Sequence, residues 1–250
     1  MPALITSPQN ARVKELRAAF ALRDKDERIA VEGDHLVHEA LRSNVTNPLL
    51  FVREGYANNI PTNIETLHLT ADVFDRSVAT ETPQGIALLF HPPTPPLKKD
   101  PALILIAAGL QDPGNLGTLI RSAEAFGATQ LITTAGTVSP WNQKAIRSSA
   151  GSVFRLPMQL GQTPQQLAAL KIKIFAAVAD AATSFTAANL SEPCALLIGN
   201  EGAGLSADLL ALATEKITIP TPGAVESLNA AIAGSLLLYE ASRQRTASNE

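Results

Sequence analysis

The sequence predicts an α/β protein of two domains, a smaller α/β domain followed by a mainly parallel sheet covered by helices. Three observations carry this. Six short apolar runs between residues 103 and 219 alternate with helix-forming stretches, and continuous apolar strands separated by helices are strands buried on both faces. A tract from His91 to Pro101 holds four prolines within five positions, Pro92, Pro93, Pro95 and Pro96, which keeps it extended and unable to pair into a sheet. Ahead of that tract helix and strand also alternate, without internal repeat or catalytic signature. The limits read from this are 1–91 for the first domain, 92–100 for the linker and 101–250 for the second.

In the first domain, residues 9 to 25 read as an amphipathic helix with Val13, Leu16 and Phe20 on one stripe and Arg12, Lys14, Arg17 and Arg23 largely off it. This is the densest basic segment of the chain, either a solvated face or a nucleic-acid contact. Strands are expected at 28–31, 49–52, 65–69 and 84–90, and helices at 35–43, with Asp34 as N-cap, and near 70–77. In the second domain the expected strands are 103–107, 130–133, 153–156, 172–178, 195–198 and 216–219. Ligands of such sheets bind beyond the carboxyl ends of strands, which directs attention to the loops after Leu110, Ile198 and Ile219.

Composition narrows the function classes. With 250 residues and 46% hydrophobic content the chain can bury a large core. Its longest apolar run, Ala230 to Tyr239, is too short to span a bilayer, and Met1-Pro2-Ala3 begins no secretory leader, so a cytoplasmic protein is expected. Cys194 is the only cysteine, and His35, His38, His68 and His91 stand in no metal-ligand spacing with it. No metal is expected. The net charge of −3 gives no general pull toward nucleic acid, so any RNA contact has to come from local patches.

The three loops are unusually polar. In residues 111–127, Leu116, Leu119, Ile120, Ala123 and Phe126 form an apolar stripe while Gly117, Arg121 and Glu124 gather on another face. An i,i+3 ion pair between Arg121 and Glu124 would explain those two charges, as would a ligand approaching over the glycine. Leu197-Ile198-Gly199-Asn200-Glu201-Gly202-Ala203-Gly204 carries three glycines and one carboxylate directly after a buried strand. That spacing is not GxGxxG, and neither GxxxxGK[ST] nor GxSxG occurs, which speaks against a dinucleotide site, a P-loop and a serine hydrolase. In 217–229 a short strand meets Pro220-Thr221-Pro222-Gly223, and Glu226, Ser227 and Asn229 fall where loop becomes helix, expected from Ala224 onward. Ser227 or Asn229 can cap that helix, and the junction can equally hold an anionic or activated oxygen.

Taken together, NLGTLIRSAEAFGA, IGNEGAGLS and IPTPGAVESLNAAIAGSLLLYEA resemble, in order and spacing, the three motifs of the SpoU family of RNA 2′-O-ribose methyltransferases of the SPOUT class. ITSPQNARVKELR and VEGDHLVHEAL resemble, more loosely, that family's substrate-binding domain. The resemblance implies a C-terminal segment threaded as a trefoil knot, which periodicity does not show. It also implies S-adenosylmethionine as methyl donor, a homodimer through the C-terminal domain, and structured RNA as substrate, ribosomal RNA ahead of transfer RNA.

By motif position, the resemblance implies a catalytic set of Asn115, Arg121, Glu124, Glu201, Ser227 and Asn229. Ile198, Gly199, Asn200, Gly202, Ile219, Pro220 and Leu228 match cofactor-pocket positions, and Arg147 matches a basic position near substrate. RNA contacts are then expected from Arg12, Lys14, Arg17, Lys144 and Arg147. Two rivals are a catalytically silent RNA-binding knot protein, disfavoured because the motif residues are all present, and an NAD-dependent oxidoreductase, disfavoured by the missing glycine pattern.

Overall fold

The computed structural model describes residues 3–23, 27–97 and 102–247. Residues 98–100 of the expected linker lie outside the described residues. Two compact units emerge: one takes in the described residues up to Pro93 together with Trp141–Gln143, and the other takes in Thr94–Pro140 and the residues from Lys144 on.

The first unit runs β1 (Leu4–Ile5), α1 (Ala11–Phe20), β2 (Ile29–Glu32), α2 (Asp34–Leu41), β3 (Thr46–Arg53), β4 (Glu65–Leu69), α3 (Ala71–Asp75) and β5 (Ile86–His91). Its sheet has the order β1-β4-β3-β5-β2, with β5 antiparallel to both neighbours and the other pairs parallel. Val13, Leu16 and Phe20 of α1 and Val73 and Phe74 of α3 pack with Ala30, Phe51 and Leu89 of the sheet. Helix α1 is shorter than its basic periodicity suggests. Asn10 caps its start by accepting from the Arg12 amide, and Leu22 at φ 54 turns the chain away from the helix. Asp34 is the first helical residue of α2 and not its cap; Gly33 takes that position at φ 97, a conformation costly for any residue with a Cβ. The Asp34 carboxylate accepts from the Tyr56 hydroxyl and from the Asn58 amide at 3.1 Å. Partial burial, reinforced by that hydrogen bond, raises the Tyr56 phenol to about 12.

The second unit runs β6 (Leu103–Ala107), α4 (Pro113–Ala125), β7 (Gln130–Thr134), α5 (Gln143–Ser149, all but its first residue), β8 (Met158–Gln162), α6 (Pro164–Ala168), β9 (Lys173–Ala177), β10 (Thr183–Ser184), β11 (Cys194–Ile198), α7 (Ala207–Leu210), β12 (Glu215–Thr218) and α8 (Ala230–Ala247). All its strand pairs are parallel, in the order β10-β12-β9-β11-β6-β7-β8. One expected strand is wrong. Ser152–Phe154 form a 3₁₀ turn whose Val153 and Phe154 are buried and which packs against α4, and the strand comes later, at β8. Apolar residues in a buried turn give the same run of hydrophobicity as a buried strand.

This order places the functional end. β6, β7 and β8 build outward in one direction, β9 starts on the other side, and β11 then fills the gap between β9 and β6. The switch point therefore lies between β6 and β11, whose last residues Ala107 and Ile198 pair directly. After β12 the chain returns to the middle of the sheet, where α8 lies against α4 and β11. Gly234 makes this close approach possible, because a Cβ there would stand 2.4 Å from a methyl of Leu119. The far end of α8 is held as firmly. The Gln244 side chain accepts from the Leu190 amide at 2.8 Å and donates to the Ala188 carbonyl at 3.0 Å, and Arg245 donates to the carbonyls of Leu190 and Ala102 at 3.0 and 3.1 Å. Among the described residues no helix is long and apolar enough to cross a membrane.

Candidate active site

Three loops converge at the switch point, and each is shaped by its own sequence. Asp112 caps α4, accepting from the amides of Gly114 at 2.5 Å and Asn115 at 3.0 Å. The Lys144 ammonium, 2.9 Å away, is the main cause that holds its carboxyl below the ordinary range, the Asn115 amide adding to it. With Pro113 at the first helical position, this fixes where Asn115 stands. After β11 the chain makes a tight hairpin in which Asn200 and Gly204 exchange backbone hydrogen bonds. The Asn200 side-chain oxygen accepts from the Gly202 and Ala203 amides at 2.9 and 3.0 Å, and its side-chain NH₂ donates to the Gly109 carbonyl at 2.9 Å. A Cβ on Gly199 would lie 2.6 Å from the Gly204 main chain, and Gly204 sits at φ 67, so both glycines serve the hairpin.

The third loop ends in Asn229, which caps α8 by accepting from the amides of Ala231 and Ile232 at 2.9 and 3.3 Å. The helix begins at Ala230 and not at Ala224 as its composition suggests. Capping and a role in the site are not alternatives here. The Asn229 NH₂ donates to the Asn115 side-chain oxygen at 3.1 Å, and the Asn115 NH₂ donates to Glu201 at 2.5 Å. One hydrogen-bond chain therefore joins residues from three loops separated by as many as 114 positions.

Beside this chain is a cavity of about 540 Å³, lined among others by Ile198, Gly199, Asn200, Gly202, Ile219 and Leu228, with Glu201 and Ser227 also on its wall. Of the expected pocket residues only Pro220 is not part of the lining. Ala177, the last residue of β9, and Val178 and Ala179 after it form a wall that the sequence reading overlooked; the rule that ligands sit beyond strand ends applies to β9 as well and could have found it. Among the described residues no backbone hydrogen bond involves residues 219–228. Their amides and carbonyls are therefore available to a ligand, and volume and apolar walls suit a nucleoside-sized one.

Two expectations about α4 are corrected. The space over Gly117 is filled by protein, since a Cβ there would lie 2.3 Å from the Ala145 carbonyl oxygen of α5. Glu124 does not pair with Arg121 but is held through both oxygens by Arg155, at 2.6 and 2.9 Å. Arg121 is exposed and has no partner among the described residues. At about 100° per residue it lies near Gly117 and roughly 120° around the helix from Asn115, so the fold does not join it to the hydrogen-bond chain. Arg147 is exposed as well, as are Arg12, Lys14 and Arg17 of α1, whereas Lys144 is committed to Asp112.

The comparisons with known proteins agree with this geometry. Residues 102–239 match the SpoU rRNA Methylase family, and residues 10–88 match the MRM3-like substrate binding domain. The 23S rRNA (guanosine(2553)-2′-O)-methyltransferase RlmP of Bacillus subtilis is 35% identical over 94% of this chain and 97% of its own. Among solved structures, an AdoMet-bound rRNA methyltransferase from Sinorhizobium meliloti superposes with TM-score 0.84 at 28% identity over 96% of this chain and 97% of that one. An RNA 2′-O ribose methyltransferase superposes with TM-score 0.81 at 31% identity over 98% and 100%. The all-parallel sheet with its returning C-terminal helix thus matches the knotted fold of these enzymes. The chain belongs to the SpoU rRNA Methylase family of S-adenosylmethionine-dependent RNA 2′-O-ribose methyltransferases.

Proposed function

We propose that this enzyme methylates a ribose 2′-hydroxyl of ribosomal RNA, working as a homodimer in the cytoplasm, where ribosomes are assembled in a bacterium. The observation that carries the site assignment is the Asn229–Asn115–Glu201 chain bordering the cavity. Ribosomal RNA as target is supported by the likeness to RlmP along nearly its whole length. Recognition falls to α1 through Arg12, Lys14 and Arg17, assisted by Arg147.

S-adenosylmethionine supplies a methyl group already bonded to a good leaving group, so the chain has to position the hydroxyl, accept or relay its proton and exclude water. Ile198, Ile219 and Leu228 give the cavity its apolar walls, with the main chain of 219–228 providing polar contacts. Asn115 and Asn229 are each fixed by the other, which sets the side-chain oxygen and NH₂ groups of the site without an entropic cost at the time of reaction. The Ser227 hydroxyl has no partner among the described residues and is free to hydrogen-bond the substrate. Arginine is a poor base, and the exposed, unpaired Arg121 is suited to grip a phosphate with its planar fork.

The dimer is supported by α8. One side of it buries Ala230, Gly234, Leu237 and Ala241 within the chain, while Ile232, Leu236 and Tyr239 remain 54%, 38% and 53% exposed along another stripe. A second copy covers that stripe in this reading. Labelled S-adenosylmethionine with unmodified ribosomal and transfer RNA, followed by mapping of the methylated nucleotide, tests the activity. Transfer of label to tRNA alone overturns the ribosomal target, and a monomer at micromolar concentration in sedimentation overturns the dimer.

A further inference from the structure

The cavity wall carries an electrostatic bias that the methyl-transfer reading leaves unexplained. Among the described residues lining it, Glu201 and Glu226 are the only ones with a formal charge. Glu201 is engaged by the Asn115 NH₂ at 2.5 Å. Glu226 is exposed and has no hydrogen-bond or ion-pair partner among the described residues. No lysine, arginine or histidine on that wall offsets either carboxylate.

We infer that Glu226 is a charge-selective residue, whose carboxylate makes the cavity prefer the cationic methyl donor to the neutral thioether left after transfer. This rests on the assignment of the cavity to S-adenosylmethionine. Transfer forms one O–C bond and breaks one S–C bond whose electron pair stays on sulfur, so sulfur loses its positive charge while the hydroxyl proton passes to solvent. Donor and product share the adenosine, the α-amino group and the carboxylate, so only the sulfonium differs in charge. A wall of purely negative charge stabilises the donor alone by that difference. The effect is modest at an exposed position, because water and salt screen it, yet it acts in one direction. It favours release of product and entry of donor, and so opposes inhibition by the thioether.

Isothermal titration of S-adenosylmethionine, S-adenosylhomocysteine and sinefungin, which carries an amine in place of the methylsulfonium, into wild type, Glu226→Gln and Glu226→Asp separates the outcomes. Glu226→Gln is expected to weaken S-adenosylmethionine and sinefungin about threefold, the size of an exposed ion pair, and to leave S-adenosylhomocysteine roughly unchanged. That unchanged value also shows the pocket intact. Glu226→Asp should retain the preference, and added salt should narrow it in wild type. Equal weakening of all three ligands in Glu226→Gln, or no change in any, overturns the inference while the cofactor assignment stands. Failure of wild type to bind any of the three overturns the assignment itself.

Discussion

The hairpin after β11 and the segment after β12 line the same cavity, but they are built in opposite ways. The hairpin completes its own hydrogen bonds: Asn200 serves as the side chain that closes it, Gly204 turns it, and the Gly109 carbonyl anchors it to the loop after β6. Residues 219–228 make no backbone hydrogen bond among the described residues, are almost wholly exposed, and become tied down only at Asn229. The first is preorganised and binds without ordering cost. The second leaves its polar groups open to a ligand, and we expect it to be ordered on binding.

The largest effect should come from breaking the hairpin. Gly199→Ala places a methyl against the Gly204 main chain at 2.6 Å, and backbone cannot swing aside as a side chain does. We expect the hairpin to be displaced at a cost of about 1–3 kcal/mol in stability, and S-adenosylmethionine affinity to fall by up to about 100-fold with it; calorimetric affinity within threefold of wild type would show that the hairpin is not preorganised as described. Asn229→Ala attacks the single anchor of the other segment. It removes the α8 cap and the donor to Asn115, so a loss of about 1 kcal/mol, read as roughly 2–4 °C in Tm, should accompany a fall in methyl transfer. A drop in activity with no change in Tm would separate the cap from the site.

The Asp34–Tyr56–Asn58 cluster of the first unit provides a control, since it too is closed by side chains, as the hairpin is. Its folded phenol titrates near 12 against about 10 for the unfolded chain. A raised folded pKa gives stability that is complete below the unfolded value and is lost as pH rises from about 10 through 12. Tyr56→Phe should remove that part of the alkaline loss, measured by denaturant midpoints between pH 9 and 12, and leave methyl-donor binding at neutral pH untouched. The smallest effect is expected at Gly223, in the open segment, where a Cβ would meet nothing within 4 Å. Gly223→Ala should leave affinity within about twofold or tighten it slightly, by reducing the freedom lost on binding; a large loss there would mean that the segment is held in one shape before the ligand arrives.

What the sequence made legible follows the same division. The buried strands β6, β7, β9 and β11 appear as apolar runs because both their faces are covered, whereas β12 buries only Ile217; the loops beyond β6, β11 and β12 are conspicuous for polar residues and glycines. β8 was missed because it is an edge: Met158 to Gln162 are mostly half-buried or exposed, with no apolar run to read, while the buried turn at Val153 imitated one. Helix α8 was begun too early because Ala224 to Leu228 has good helix formers, and propensity yields to the cap that Asn229 supplies. Which residues meet was beyond reach of spacing. Arg121 and Glu124 stand at ion-pair distance in sequence, yet Arg155, 31 residues on, takes the carboxylate, and the link from Asn115 to Asn229 exists only because α8 returns to the sheet centre.

That return also sets a schedule. The ribosome makes α4 more than 100 residues before α8, and synthesis proceeds at roughly 5–20 residues per second, so the surface of α4 that receives Gly234 waits uncovered for roughly 5–20 seconds and that of β11 for a few seconds. Until α8 is made, Leu190 and Ala102 also lack the bonds that Gln244 and Arg245 later give them. Until α8 emerges, apolar surface destined for the core stays open to neighbouring chains, and we expect the yield of folded protein to depend on keeping those chains apart.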